Sequence, residues 1–210
     1  MRNRDALPNQ MIGSTTSTVG FVHTNPETVA AWWASTLDNG WADADADAGI
    51  GTLRWLIENT IGAEKTPLHT KYLLAAAGDW SLVLTDGPVG TDPAGIPSLA
   101  AEDLGVTAVR ATVSEPGPDQ FAAAMIEVFD QASADQNYAR RHVYAAHNGY
   151  SWDFGQYGKP YDFENVESYQ KGRIKDRFTT EMVHQFLANL EVPEISLNTE
   201  TRARLVYRTG

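Results

Sequence analysis

The chain has 210 residues and a mass of 23.0 kDa, the length of one large domain or two small ones. Hydrophobic residues at 42% and charged residues at 20% are the balance of a folded domain, which excludes wholesale disorder, and no apolar run approaches the roughly 18 residues of a membrane helix. The lack of cysteine excludes disulfides, thiolate catalysis and thiolate-held metals, while 16 Lys and Arg against 27 Asp and Glu leave a net charge of −11.

That sign repels a phosphate backbone, so nucleic acid is not an expected partner. Residues 1–105 hold 5 basic and 13 acidic residues, net −8; residues 106–210 hold 11 and 14, net −3. A half this acidic steers a basic protein partner toward it. No apolar segment follows the basic start Met1-Arg2-Asn3-Arg4, so the expected location is cytoplasmic, without membrane contact.

Residues 1–16 show no period and read as a disordered tail ahead of a single domain over 17–192, with a possible subdomain break near 115–120. A β-rich stretch over 18–23 leads to Asn25-Pro26-Glu27, a helix start with Asn25 as cap and Pro26 at the first helical position. Val29, Trp32, Trp33 and Leu37 then mark a buried stripe. Ala42 to Gly49 alternates Ala and Asp and reads as an acidic linker before a helix over about 50–61, closed by Gly62. Tyr72–Ala77 and Trp80–Thr85 flank Gly78-Asp79 as a hairpin. A short helix over 98–104 starts at Ser98 and stops at Gly105, and residues 106–113 read as a strand. Residues 121–129 suit either a helix or a strand, with the strand favoured.

The plainest hairpin joins residues 141–147 to 150–154 through Asn148-Gly149, the pair that a two-residue type I′ turn requires. Residues 164–174 look like a polar helix. Thr179 caps a helix whose apolar face is Met182, Val183, Phe186, Leu187 and Leu190. Residues 193–210 are a C-terminal tail whose Leu205-Val206-Tyr207 suits an edge strand. Helices in ones and twos between hairpins predict an α+β fold, a mainly antiparallel sheet with four to five helices packed on it.

No catalytic constellation stands out, and neither a cofactor nor a metal is expected. Asp43, Asp45 and Asp47 imitate the start of a calcium loop, but Ala48 and Arg54 occupy the positions that need Gly and Glu. The loop Asp86-Gly87-Pro88-Val89-Gly90-Thr91-Asp92 offers two carboxylates, Asp86 and Asp92, to a partner or, with a distant His, to a hydrolase. His142 and His147 are an odd number of residues apart, so a strand puts them on opposite faces. Lys171, Arg173, Lys175 and Arg177, with Arg140-Arg141 upstream, form the one basic concentration, in which Arg173 and Arg177 are a candidate anion site. Tyr150, Trp152, Tyr157 and Tyr161 cluster around the second hairpin and its exit, and such rings favour half-wet binding surfaces.

Several of these residues carry a resemblance. Trp152-x-Phe154, Gly158-x-Pro160, Phe163-Glu164, Tyr169 and Arg173-x-x-Asp176-Arg177-Phe178-Thr179 resemble a group of uncharacterised bacterial proteins. His23-Thr24-Asn25-Pro26 with Trp32-Trp33, and Leu84-Thr85-Asp86-Gly87-Pro88, are weaker echoes. No activity is attached to that group, so the resemblance implies a shared fold and no chemistry. The expected function is a soluble acidic protein-binding module, possible as an inhibitor or immunity-type protein and able to form a homo-oligomer. A small-molecule hydrolase and an anion-binding module are the alternatives.

Overall fold

The computed structural model describes residues 16–36, 45–62, 71–86, 90–91, 93, 95–116, 121–134 and 139–207. The strands are β1 (Thr16–Val22), β2 (Asp45–Thr52), β3 (Lys71–Ala77), β4 (Trp80–Thr85), β5 (Gly90–Thr91), β6 (Ala108–Ser114), β7 (Ala123–Phe129), β8 (Arg141–His147), β9 (Trp152–Tyr157) and β10 (Glu200–Tyr207). The helices are α1 (Pro26–Thr36), α2 (Leu53–Asn59), α3 (Ile96–Leu104), the single turn α4 (Gln131–Ala134) and α5 (Thr180–Asn189). Nine strands form one sheet in the order β2-β10-β3-β4-β1-β6-β7-β8-β9, every neighbour antiparallel, and β5 pairs in parallel with the start of β1. This is an α+β fold on a mainly antiparallel sheet. No helix among the described residues is long and apolar enough to cross a membrane.

Helices cover both faces of the sheet's central part, which explains why its strands are continuous apolar runs. Val19, Phe21, Leu73, Leu82 and Val109 pack on one face against Leu53, Leu56 and Ile57 of α2 and Val183, Phe186 and Leu187 of α5. Val22, Leu74 and Val83 pack on the other against Val29, Ala30 and Trp33 of α1 and Ile96, Ala100 and Ala101 of α3. Several predicted caps are present. The Thr28 N–H donates to Asn25 Oδ1 at 2.8 Å, the Met182 N–H donates to Thr179 Oγ1 at 3.4 Å, and Gly62 and Gly105 are left-handed. Residues 123–129 form a strand.

Other expectations are corrected. Residues 45–49 are not a linker: Asp-Ala alternation has the period of a strand, and β2 pairs along β10. Residues 42–44 lie outside the described residues, as do residues 1–15 of the expected tail; Thr16 already belongs to β1. The second helix begins only at Leu53, where Thr52 Oγ1 accepts from the Trp55 N–H. The third begins at Ile96, and Ser98 Oγ donates back to the Gly95 carbonyl instead of capping. Residues 164–174 make no α-helix; 3₁₀ turns span Val166–Gln170 and Ile174–Asp176. β10 is no edge strand or tail, since it lies between β2 and β3 with Ala203 and Val206 fully buried. β6 and β7 pair from Ala108–Phe129 to Ser114–Ala123, so the sheet runs unbroken past 115–120.

Candidate functional site

The β8–β9 hairpin brings together most of the aromatic residues singled out in the sequence, through a turn longer than predicted. His147 pairs with Trp152, so four residues form the loop instead of Asn148-Gly149 alone. The Asn148 side chain sets that length, its Oδ1 accepting from the N–H groups of Tyr150 and Ser151 at 3.0 Å each. The Asn148 N–H donates to the Ser151 carbonyl, and Gly149 takes the left-handed φ of 96°. The pairing slips by two residues, which preserves the alternation of faces but lifts Tyr150 out of the ladder, where it is 96% exposed.

Neighbouring rings brace this turn. Phe121, itself 59% exposed, lies 6.0 Å from the His147 ring, and Trp152 meets His147 edge-on at 5.7 Å. The His147 N–H donates to the Ala122 carbonyl, which ties the approach to β7 against the tip. Phe121 and His147 were not expected here; cross-strand pairing, not local pattern, brings them in.

The other aromatic candidates divide. Tyr157 is 53% exposed, but its odd offset from Trp152 puts it on the opposite face of β9. Tyr161 is turned inward, which corrects its reading as a contact residue. Its ring stacks on Phe163 at 5.1 Å and meets Phe186 edge-on, and burial pushes its phenol above the usual range.

Beneath the hairpin lies a buried charge network. Arg141 is fully buried and all five of its N–H donors are engaged. Nε and Nη2 grip the Glu164 carboxylate at 2.9 and 2.6 Å, Nη2 also reaches Gln156 Oε1, and Nη1 donates to the carbonyls of Tyr157 and Gly158. Glu164 further accepts from the Tyr161 N–H and the Tyr169 hydroxyl. Burial, and then that hydrogen bond, push the Tyr169 phenol far above its ordinary range. The network fastens the chain after β9 to the sheet. A side chain at Gly158, where φ is 82°, would collide with the Arg140 carbonyl. Gly158, Glu164 and Tyr169, which carry the resemblance, are therefore structural here. A cavity of about 70 Å³ beside them, walled by Phe163, Tyr169, Phe178, Met182 and Phe186, has room for roughly two waters.

The carboxylate and cation candidates also have structural partners. Asp86 is 5% exposed; its Oδ1 accepts from the Lys71 N–H at 2.8 Å and its own N–H donates to the Lys71 carbonyl, locking the open end of the β3–β4 hairpin. That burial removes it from any contact surface. Asp92 lies outside the described residues. Arg173 pairs with Asp176 at 2.7 Å, and Arg177 donates to the Lys171 carbonyl and lies over the Phe154 ring. Both bonds run through Nε, and the Arg173 side chain stays 76% exposed. Asp47 accepts from the Gly49 N–H and pairs with Arg202; these hold its carboxyl below the usual range. Among the described residues no three His, Asp or Glu side chains gather at metal-binding distance.

The face of β6–β9 that carries Tyr157 is crossed by a polar row: Arg110, Glu127, His142 and Tyr157 stand opposite one another in register. Arg110 pairs with Glu127. His142 is on this face and His147 on the other, as their spacing required. Burial holds the His142 imidazole below its ordinary pKa, with the attraction of Glu127 opposing and Arg110 and Arg141 reinforcing the shift; its Nε2 is enclosed without a hydrogen-bond partner. One row on, Tyr144 stands opposite Gly155, with its ring where a side chain at Gly155 would sit, and donates its hydroxyl to Asp153 Oδ2 at 2.8 Å.

Compared with protein-family models, curated proteins and solved structures, the chain finds no match.

Proposed function

We propose that this chain is a protein-binding module, of inhibitor or immunity type, that docks a basic partner through the β8–β9 hairpin. The observation that carries the reading is Tyr150, 96% exposed on a turn fastened by the Asn148 carboxamide. A large ring on a fixed backbone has only two side-chain torsions to lose on burial, which is the property of a binding anchor. Phe121 and Trp152 widen that anchor. The net −8 of residues 1–105 supports a basic partner, because long-range attraction raises the encounter rate. Gly158, Glu164 and Tyr169, three of the residues behind the resemblance, belong to the buried Arg141–Glu164 network, which supports a shared fold as its meaning.

Affinity capture with the wild-type chain and a Tyr150→Ala variant tests this. A basic protein is expected on the wild-type bait at low salt, lost at high salt, and lost at low salt from the variant. Capture indifferent both to ionic strength and to Tyr150→Ala ends the reading.

A further inference from the structure

We infer that the second face of the same hairpin is an arginine-reading strip made of Asp153, Tyr144 and Tyr157. This rests on the binding-module reading and specifies the partner's chemistry: an arginine side chain on an extended, basic segment.

Asp153 is exposed, yet its carboxylate is fixed in place. Oδ2 accepts from the Tyr144 hydroxyl at 2.8 Å and Oδ1 from the Phe154 N–H at 2.9 Å. No Lys or Arg among the described residues pairs with it. A carboxylate carries about four acceptor positions, so each oxygen retains capacity facing water. Asp153, Gly155 and Tyr157 succeed one another on one face of β9, and the Tyr144 ring lies over Gly155. An anchored carboxylate is thus followed along the strand by two rings, Tyr157 being 53% exposed.

That order suits a planar cation. A guanidinium hydrogen-bonds a carboxylate through its fork and stacks its flat face on an aromatic ring, whereas an ammonium is a more strongly hydrated point charge. Complementarity runs the same way at long range, the chain carrying −11 overall. The Tyr144 hydroxyl is a positioning group: its hydrogen bond orients Asp153, and that bond, ahead of burial, raises the phenol above its ordinary pKa.

The test is a nuclear magnetic resonance titration of the full chain with three synthetic probes: a short arginine-containing peptide, its citrulline counterpart and its lysine counterpart. The arginine peptide is expected to shift the amides of residues 153–157 and to bind at least about threefold more tightly than either of the others, the scale of one exposed ion pair plus a cation–π contact. Asp153→Asn and Tyr157→Ala are each expected to remove that preference; Tyr144→Phe, which keeps the ring, reduces it. Asp79→Asn, which removes a carboxylate from the exposed β3–β4 turn, leaves it unchanged, as does Tyr150→Ala. Equal binding of the arginine and citrulline peptides, or equal losses in Asp79→Asn and Asp153→Asn, overturns the strip. If the strip fails while Tyr150-dependent, salt-sensitive capture persists, the module reading stands alone. Arginine selectivity at 153–157 without such capture leaves the strip standing and removes the hairpin tip as the anchor.

Discussion

Replacing Arg141 by Met leaves the Glu164 carboxylate buried without its cation, with two hydrogen bonds from Tyr161 and Tyr169 that cannot offset the loss of water. Breaking one side of such a pair costs about 3–5 kcal/mol. The Arg141→Met/Glu164→Gln double variant should lose less than Arg141→Met alone, because the orphan charge is gone and an amide oxygen still accepts from Tyr161. Urea midpoints of wild type, single and double variants measure this; a double variant weaker than the single one contradicts it. None of this was legible in the sequence. Arg141 read as half of a basic pair at the start of a hairpin strand, and Glu164 as the start of a helix. Their bond spans 23 residues, and no local pattern reports that a charge is buried. Asp86 was visible as a loop carboxylate, but the Lys71 backbone that occupies it lies across a hairpin.

Four strands contribute the row Arg110–Glu127–His142–Tyr157, and its histidine makes stability depend on pH. The unfolded imidazole titrates near pH 6.5, and the folded one below that, so on acidification the unfolded chain takes up a proton that the native state refuses. Stability therefore falls as pH drops from about 6.5 toward the lowered folded value and levels off beneath it. His142→Gln should flatten this limb; thermal melts of both proteins between pH 7 and 5 read the difference, and parallel curves would assign the limb to other groups. At this scale the sequence was informative. Strand periodicity placed His142 and His147 on opposite faces, and Asn148-Gly149 located the turn. The loop length was not legible, since it follows from where a carboxamide oxygen meets two backbone N–H groups. The 3₁₀ turns over 166–176 were misread as a helix because a polar stretch tied down by Arg141 needs no helical face of its own.

Across the molecule, β10 joins β2 to the rest of the sheet. It pairs with β2 through Glu200–Val206 and with β3 through Ala203–Tyr207, and Thr201 Oγ1 donates to the Ala76 carbonyl. Ending the chain at Asn198 leaves β2 unpaired and the Lys71–Ala75 edge open, a loss on the scale of the whole roughly 5–15 kcal/mol of a typical domain. Circular dichroism melts of the truncated chain should show no cooperative transition; an intact one would mean that β10 is dispensable. The fold class followed from hairpins and caps, but strand order did not, because the pairing of Arg202 with Asp47 spans 155 residues. The same long reach governs synthesis. At about 5–20 residues per second, β2 and β3 leave the ribosome on the order of ten seconds before the strand that will join them. During that interval the nascent chain presents bare strand edges to its neighbours, and the negative charge along β2 discourages their premature pairing.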